Sequence, residues 1–277
     1  QPSNVSPYYY FTFTPTQPPW LQVNRGDIYS GGAVTLPNPP LGQYSALYCV
    51  SSVGMQAITP GDAEFVDCQQ SGLPPLIFPK TANNYFSPPF GSLDPDDIIA
   101  RATAAGTLVT TCSLPSQLNG QVYLCDAPTA LTLPATTISD SAVRGNGTLI
   151  VRGDLTISGD ITYAAATATT INRLASLGVM VIKRADGSGG NIAIQPAVGQ
   201  IVGTYYAEDT IRTCSGFGSC SQSPLIIRGS MAAHRFQFQR LFISFTDLPA
   251  EQFIYDGRSL ANVPPGFEQF VKGLPKW

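Results

Sequence analysis

A chain of 277 residues in which only 12% are charged, against about 25% in an average soluble domain, and 43% are apolar has the length for one large or two modest domains and the composition of no ordinary cytoplasmic enzyme. A net charge of −3 gives no basic footprint that would neutralise phosphates, which argues against a nucleic-acid partner. No window reaches the roughly 18 apolar residues that a membrane-spanning helix needs, so no span is expected.

The chain opens on Gln1-Pro2, without a basic segment leading into an apolar one, and reads as a processed mature form. Residues 1–19 form an arm. Within it Tyr8, Tyr9, Tyr10, Phe11 and Phe13 make a strongly β-prone run bounded by prolines. Two readings stay open for this run: a strand packed on its own domain, or a strand donated to the sheet edge of a neighbouring subunit.

Residues 20–40 read as the start of a solenoid, and residues 41–145 as an insertion or small second domain that breaks the pattern. One helix is expected inside the insertion. Asp94 is its N-cap, Pro95 its first residue, Asp96 and Asp97 its acidic first turn, and Gly106 its stop. A second short helix is expected over 170–177, closed by Gly178.

The most informative stretch is GTLIVRGDLTISGDITYA over 147–164. Gly147, Gly153 and Gly159 recur every six residues, and Leu149/Val151, Leu155/Ile157 and Ile161/Tyr163 alternate between them as half-buried short strands do. Glycines at the junctions suit tight turns. Short strands at a fixed short period coil into a solenoid, in which successive turns bury a continuous apolar interior. LIIRGSM at 225–231 repeats LIVRGDL at 149–155 with Arg228 and Gly229 matching Arg152 and Gly153, and LQVNRGDI at 21–28 is a looser copy carrying Gly26. The solenoid is therefore expected over 146–247, with a Pro- and aromatic-rich strap over 248–277.

The Gly-Asp-punctuated hexads of 147–164, with 191–213 and 225–238, resemble the right-handed β-helical repeats of polymer-forming, bactofilin-like proteins. The Trp20–Asp27 opening resembles that of solenoid modules of bacterial surface and filament proteins. The resemblance implies an all-β fold, a right-handed parallel β-helix (β-solenoid) with an inserted disulfide-containing segment and an extended N-terminal arm. It implies self-assembly into filaments, pilus-like fibres or surface layers, with neighbouring copies of the chain as partners.

The six cysteines, Cys49, Cys68, Cys112, Cys125, Cys214 and Cys220, include no Cys-x-x-Cys pair, and one histidine offers few further ligands for zinc. Disulfides are the better reading; sequence order suggests 49–68, 112–125 and 214–220, while six cysteines leave 15 connectivities open, and disulfides imply a place outside the cytoplasm or at the cell surface. No metal and no cofactor is expected. Asp94, Asp96 and Asp97 are explained by helix capping rather than calcium.

Arg25-Gly26-Asp27 and Arg152-Gly153-Asp154 spell a receptor-binding tripeptide but sit where repeats turn. His234 has no nucleophile elbow beside it and reads as structural. Asp154, Asp160, Glu208 and Asp209 are the carboxylates a polysaccharide lyase or glycosidase would draw on, yet the first two are turn residues and no pair stands out. Asn4 and Asn146 begin glycosylation sequons. The expectation is a non-enzymatic, extracellular structural subunit, with an adhesin or surface-glycan-binding module as the alternative.

Overall fold

The structure, a computed structural model, describes the backbone of residues 19–24, 28–30, 34–35, 43–46 and 50–52, and backbone with side chains over 93–126, 130–215, 220, 224–240 and 250–268. The arm residues Tyr8 to Phe13, Gly26, Cys49, Cys68 and Asn4 lie outside these.

The hexads fold as anticipated into a parallel β-solenoid, but three of them make one coil rather than three. β10 (Asn146–Arg152), β11 (Leu155–Ile157) and β12 (Ile161–Tyr163) are its three sides. Each side stacks in register on neighbouring coils. On the first face β7 (Val122–Asp126) pairs with β10, and β10 with β13 (Ser176–Ile182). β13 then pairs with β15 (Gln200–Arg212), and β15 with β16 (Leu225–Gln237). On the second face β8 (Leu131–Leu133) and β14 (Ile192–Ile194) flank β11, and on the third β9 (Thr136–Ile138) pairs with β12. Val179 meets Tyr205 and Tyr205 meets Met231, a step of 26 residues each time, so side chains recur in columns.

Period-two alternation divides these columns between two cores. Leu149 and Val151 point inward with Leu155, Ile157, Ile161, Val179, Val181, Ile192 and Ile194, all fully buried. Ile150 and Met180 point outward and are buried as deeply, because a second layer covers them. That layer is α1 (Pro95–Ala104) together with residues 263–267, whose Phe267 sits among Ile98, Ala102, Val122, Ile150 and Met180. Burying each such aliphatic side chain is worth about 1.5–3 kcal/mol.

The helix forms as its capping residues dictate. Asp94 accepts the Asp96 and Asp97 N–H groups at 3.1 Å, and the chain leaves the helix through Gly106 at φ +66, with Gly106 N–H on Thr103 O and Thr107 N–H on Ala102 O. The second expected helix does not form. Residues 171–173 make a single 3-10 turn and Ser176–Ile182 is strand β13, since Leu177, Val179 and Val181 continue an inward alternation. Gly178 is a flat strand position on which Phe267 lies: a Cβ there would meet Phe267 Cε2 at 2.6 Å.

Two further expectations are corrected by the register. The solenoid does not begin at 146, because β6 (Leu108–Thr110), β7, β8 and β9 of the supposed insertion are already rungs of the stack; irregular Pro and Cys spacing hides their alternation. Gly229 does not correspond to Gly153. It stacks on Gly203, whose column runs through Leu177 to Gly147, whereas Gly153 turns the corner between β10 and β11. Both Gly153 (φ +131) and Gly229 (φ +141) adopt backbone that disfavours side chains. Gly147 and Gly159 are not turns of positive φ; they permit close contact with Leu118 and with the Ala135 backbone.

The N-terminal strands do not precede β6. β1 (Pro19–Asn24) pairs with β17 (Glu251–Ile254), so the opening segment is added beyond the last rung, and β4 (Gln43–Ala46) is added beyond β1. β3 (Val34–Thr35) extends the second face next to β16, and β2 (Ile28–Ser30) pairs with β5 (Val50–Ser52). Leu21 lies in the Leu225 column, so these two sequence copies are in true register. Disulfides join Cys112 to Cys125 and Cys214 to Cys220. Among the described residues no helix is long and apolar enough to cross a membrane.

Beyond β17 the chain runs back across the coils. Asn262 Nδ2 donates to Asn172 O and Leu174 O, Asn146 Nδ2 to Val263 O, and Thr148 Oγ1 to Pro265 O. A β-branched residue at Gly178 has to lift Phe267 from this seat. The variant Gly178→Val is expected to lose about 1–3 kcal/mol in urea denaturation and to become protease-sensitive after residue 255. An unchanged midpoint and cleavage pattern would show that the strap does not hold the coils.

Candidate functional site

A polar cavity of about 390 Å³ lies where the third side of one coil returns to the first side of the next. Stacking assembles it from distant sequence. Val202, Arg228 and Ile254 occupy one column on β15, β16 and β17, Gln200 begins β15, and Tyr163 ends β12. The rest comes from the turn after β17. There Asp256 Oδ1 accepts Arg258 N–H at 3.0 Å and Asp256 O accepts the Ser259 hydroxyl at 3.1 Å, starting α2 (Arg258–Ala261).

The side chains around the cavity are unequally satisfied. Tyr163 Oη accepts the Leu177 N–H at 2.8 Å, and burial pushes its phenol well above the usual range. The Arg258 guanidinium covers the Tyr163 ring at 4.6 Å from the centroid, and its Nε stands 3.9 Å from Asp256 Oδ2. Among the described residues Arg258 Nη1 and Tyr255 Oη have no hydrogen-bond partner, and both residues line the cavity. Arg228 is exposed and makes no ion pair or hydrogen bond among the described residues.

A second polar cluster closes the interior of the final coils. Arg240 is fully buried; its Nε donates to Thr213 O at 2.8 Å, Nη1 to Pro196 O at 2.7 Å, and Nη2 to Gln195 O and Val198 O at 2.9 Å. Glu251, equally buried, accepts the Thr213 hydroxyl at 2.6 Å and the Arg240 and Gln239 N–H groups, all on Oε1; Oε2 has no hydrogen-bond partner. Burial drives its carboxyl up to about 7, against the pull of Thr213, the two N–H groups and the Arg240 charge. Phe236, Phe238 and Arg240 are buried at alternate positions, so the period-two pattern already marked Arg240 as inward; no local signal marked Glu251.

Three of the four carboxylates singled out from sequence accept main-chain N–H groups. Asp154 Oδ1 accepts Asn191 N–H and Nδ2, Asp160 Oδ1 accepts the Gly199 and Gln200 N–H groups, and Glu208 Oε2 accepts Lys183 N–H, each bridging to an adjacent coil. Asp209 accepts only the neighbouring Thr210 hydroxyl. Asp140 does the same office for three N–H groups, of Ala175, Thr167 and Ala168; burial opposes its charge, but these bonds and Arg258 together hold its carboxyl below the ordinary value.

In Arg152-Gly153-Asp154 the arginine binds Asp96 at 2.8 Å, so this tripeptide is a corner tied to its own fold. Asp97 pairs with Arg101 on the helix. His234 is exposed on β16, and Asn146 is committed to the strap. Among the described residues no cluster of three or more His, Cys, Asp or Glu stands ready for a metal ion. Sequence reasoning named Tyr163 and Arg228 only as repeat positions, and gave no sign that Gln200, Asp256 and Arg258 would join them.

A carboxyl that is harder to ionise in the folded chain than in the unfolded one favours folding where it is protonated in both. The Glu251 contribution is complete below pH 4.5 and is lost as pH rises through about 7. Glu251→Gln keeps an acceptor for Thr213 and removes the titration. Thermal melts between pH 4.5 and 8 are expected to show the parent chain losing ground to the variant by up to about 3 kcal/mol, then running parallel above pH 8. A pH-independent difference would mean that Glu251 stays ionised in its pocket. No protein-family model, curated protein sequence or solved structure matches this chain significantly.

Proposed function

We propose that the chain is an extracellular structural subunit that self-assembles with further copies of itself into a filament, pilus-like fibre or surface layer. The observation that carries this reading is the pairing of β1 with β17: a strand from the N-terminal segment completes the edge left by the last rung of the solenoid. A segment suited to that edge in its own chain is equally suited to the same edge of a neighbour, and exchange of identical elements is an inexpensive route to assembly. β4 then stands at the end of the strand order, with no further described strand beyond it.

Other features agree with a load-carrying rather than a reactive role. The acids of the repeats hold coils together, and two disulfides close the ends of short loops, which suits an oxidising compartment. Disulfides of this length add a few kcal/mol of stability in the loop-entropy view.

The test is assembly with and without the arm. Full-length protein, oxidised and concentrated, is expected to form fibres or sheets in negative-stain electron microscopy. Removal of residues 1–24, the arm over 1–19 together with the rest of β1, should leave both disulfides intact and yield monomers by light scattering. Fibres from the truncated chain would refute the role of the arm, and a full-length chain that stays monomeric at high concentration would refute the structural-subunit reading in favour of an adhesin.

A further inference from the structure

We propose that the cavity between Tyr163, Gln200, Arg228, Tyr255, Asp256 and Arg258 is a binding site for a carboxylate-bearing sugar, a uronic-acid unit of an acidic polysaccharide. This goes beyond the assembly reading and does not depend on it. The cavity is built by in-register stacking and by the turn after β17, so it belongs to the single chain.

Charge decides the class of ligand. Two guanidinium groups border the cavity; Arg258 is already opposed by Asp256 at 3.9 Å and by the Asp140 carboxylate. One positive charge is left over, on Arg228, which is exposed and makes no ion pair or hydrogen bond among the described residues. A single anionic group balances it. The planar fork of an arginine also matches a carboxylate with two parallel hydrogen bonds.

Hydrogen-bonding capacity decides the rest of the ligand. Tyr255 Oη and Arg258 Nη1 have no hydrogen-bond partner among the described residues, and Gln200 and Asp256 add an amide and a carboxylate. Such a mixture of unspent donors and acceptors suits a ring bearing several hydroxyls, and a volume of about 390 Å³ lies in the range of small-molecule sites. Arg258 is held over Tyr163, so one wall is preorganised, while Arg228 stands exposed on β16.

The experiment is a titration of the oxidised, full-length protein with glucuronate and galacturonate, followed by isothermal calorimetry and by ligand-observed NMR. Glucose, galactose and inorganic phosphate are the comparison probes, and the arm-deleted chain is run in parallel. Saturable binding of a uronate is expected in both chains, with the neutral sugars about tenfold or more weaker, and Arg228→Gln is expected to weaken uronate binding by about the same factor without moving the melting temperature. Neutral sugars binding as well as uronates, phosphate binding better, no saturable uronate binding, or an Arg228→Gln variant of full affinity would each overturn the proposal. Binding that survives in a chain that never assembles leaves the site standing while the assembly reading falls.

Discussion

Everything in this molecule depends on the main-chain ladder between parallel strands stacked without a slip of register on the first face. Because Val122, Thr148, Gly178, Thr204 and Ser230 occupy one file, a residue's side of the sheet is fixed for every coil at once. A shift of one residue in any rung would carry Leu149 and Val151 outward and Ile150 inward, and both cores would fail together. The interior stripe and the layer under α1 and Phe267 are two readouts of the same alignment.

A parallel coil leaves its corners short of hydrogen-bond partners, since the ladder stops wherever the chain turns. The protein answers with side chains that reach from one coil to the next. Asp140, Asp154 and Asp160 take up stranded N–H groups, and Arg240 takes up four stranded carbonyls from two coils. Buried main-chain groups must be paired, and a single arginine with its fixed fork of donors serves where water is excluded. Glu251 is then not an opposing charge brought in for Arg240 alone; it anchors the amides of residues 239 and 240 and the Thr213 hydroxyl, so the last two rungs share one polar knot.

Much of the fold was legible in the residues. The alternation of Leu149 to Ile161 and the Asp94-Pro95 helix start were readable because each rests on contacts a few residues apart, whereas the pairing of Cys112 with Cys125 and of Cys214 with Cys220 was one of 15 connectivities that six cysteines allow. What could not be read was register. LIIRGSM and LIVRGDL look equivalent, yet one sits six residues out of step with the other in the stack, because coil length is set by loops whose sequence carries no period. The stretch over 170–177 misled for a related reason: Gly178 closes no helix, and its purpose is a ring from residue 267, far away in sequence. The cavity is harder still, since its residues come from four separate segments and no pair of them is a neighbour by pattern.

The placement of β1 beside β17 has a consequence for how the chain acquires its shape. Leu21 pairs with Glu251, so β1 finds its partner about 230 residues further along the chain. During synthesis the rungs from β6 onward can close one upon another by short loops, each addition costing little chain entropy. Until β17 is in place, β1 lacks the edge it pairs with. The pairing of β1 with β17 therefore closes the longest loop among the described strands and is expected to be the slowest contact of the fold to form.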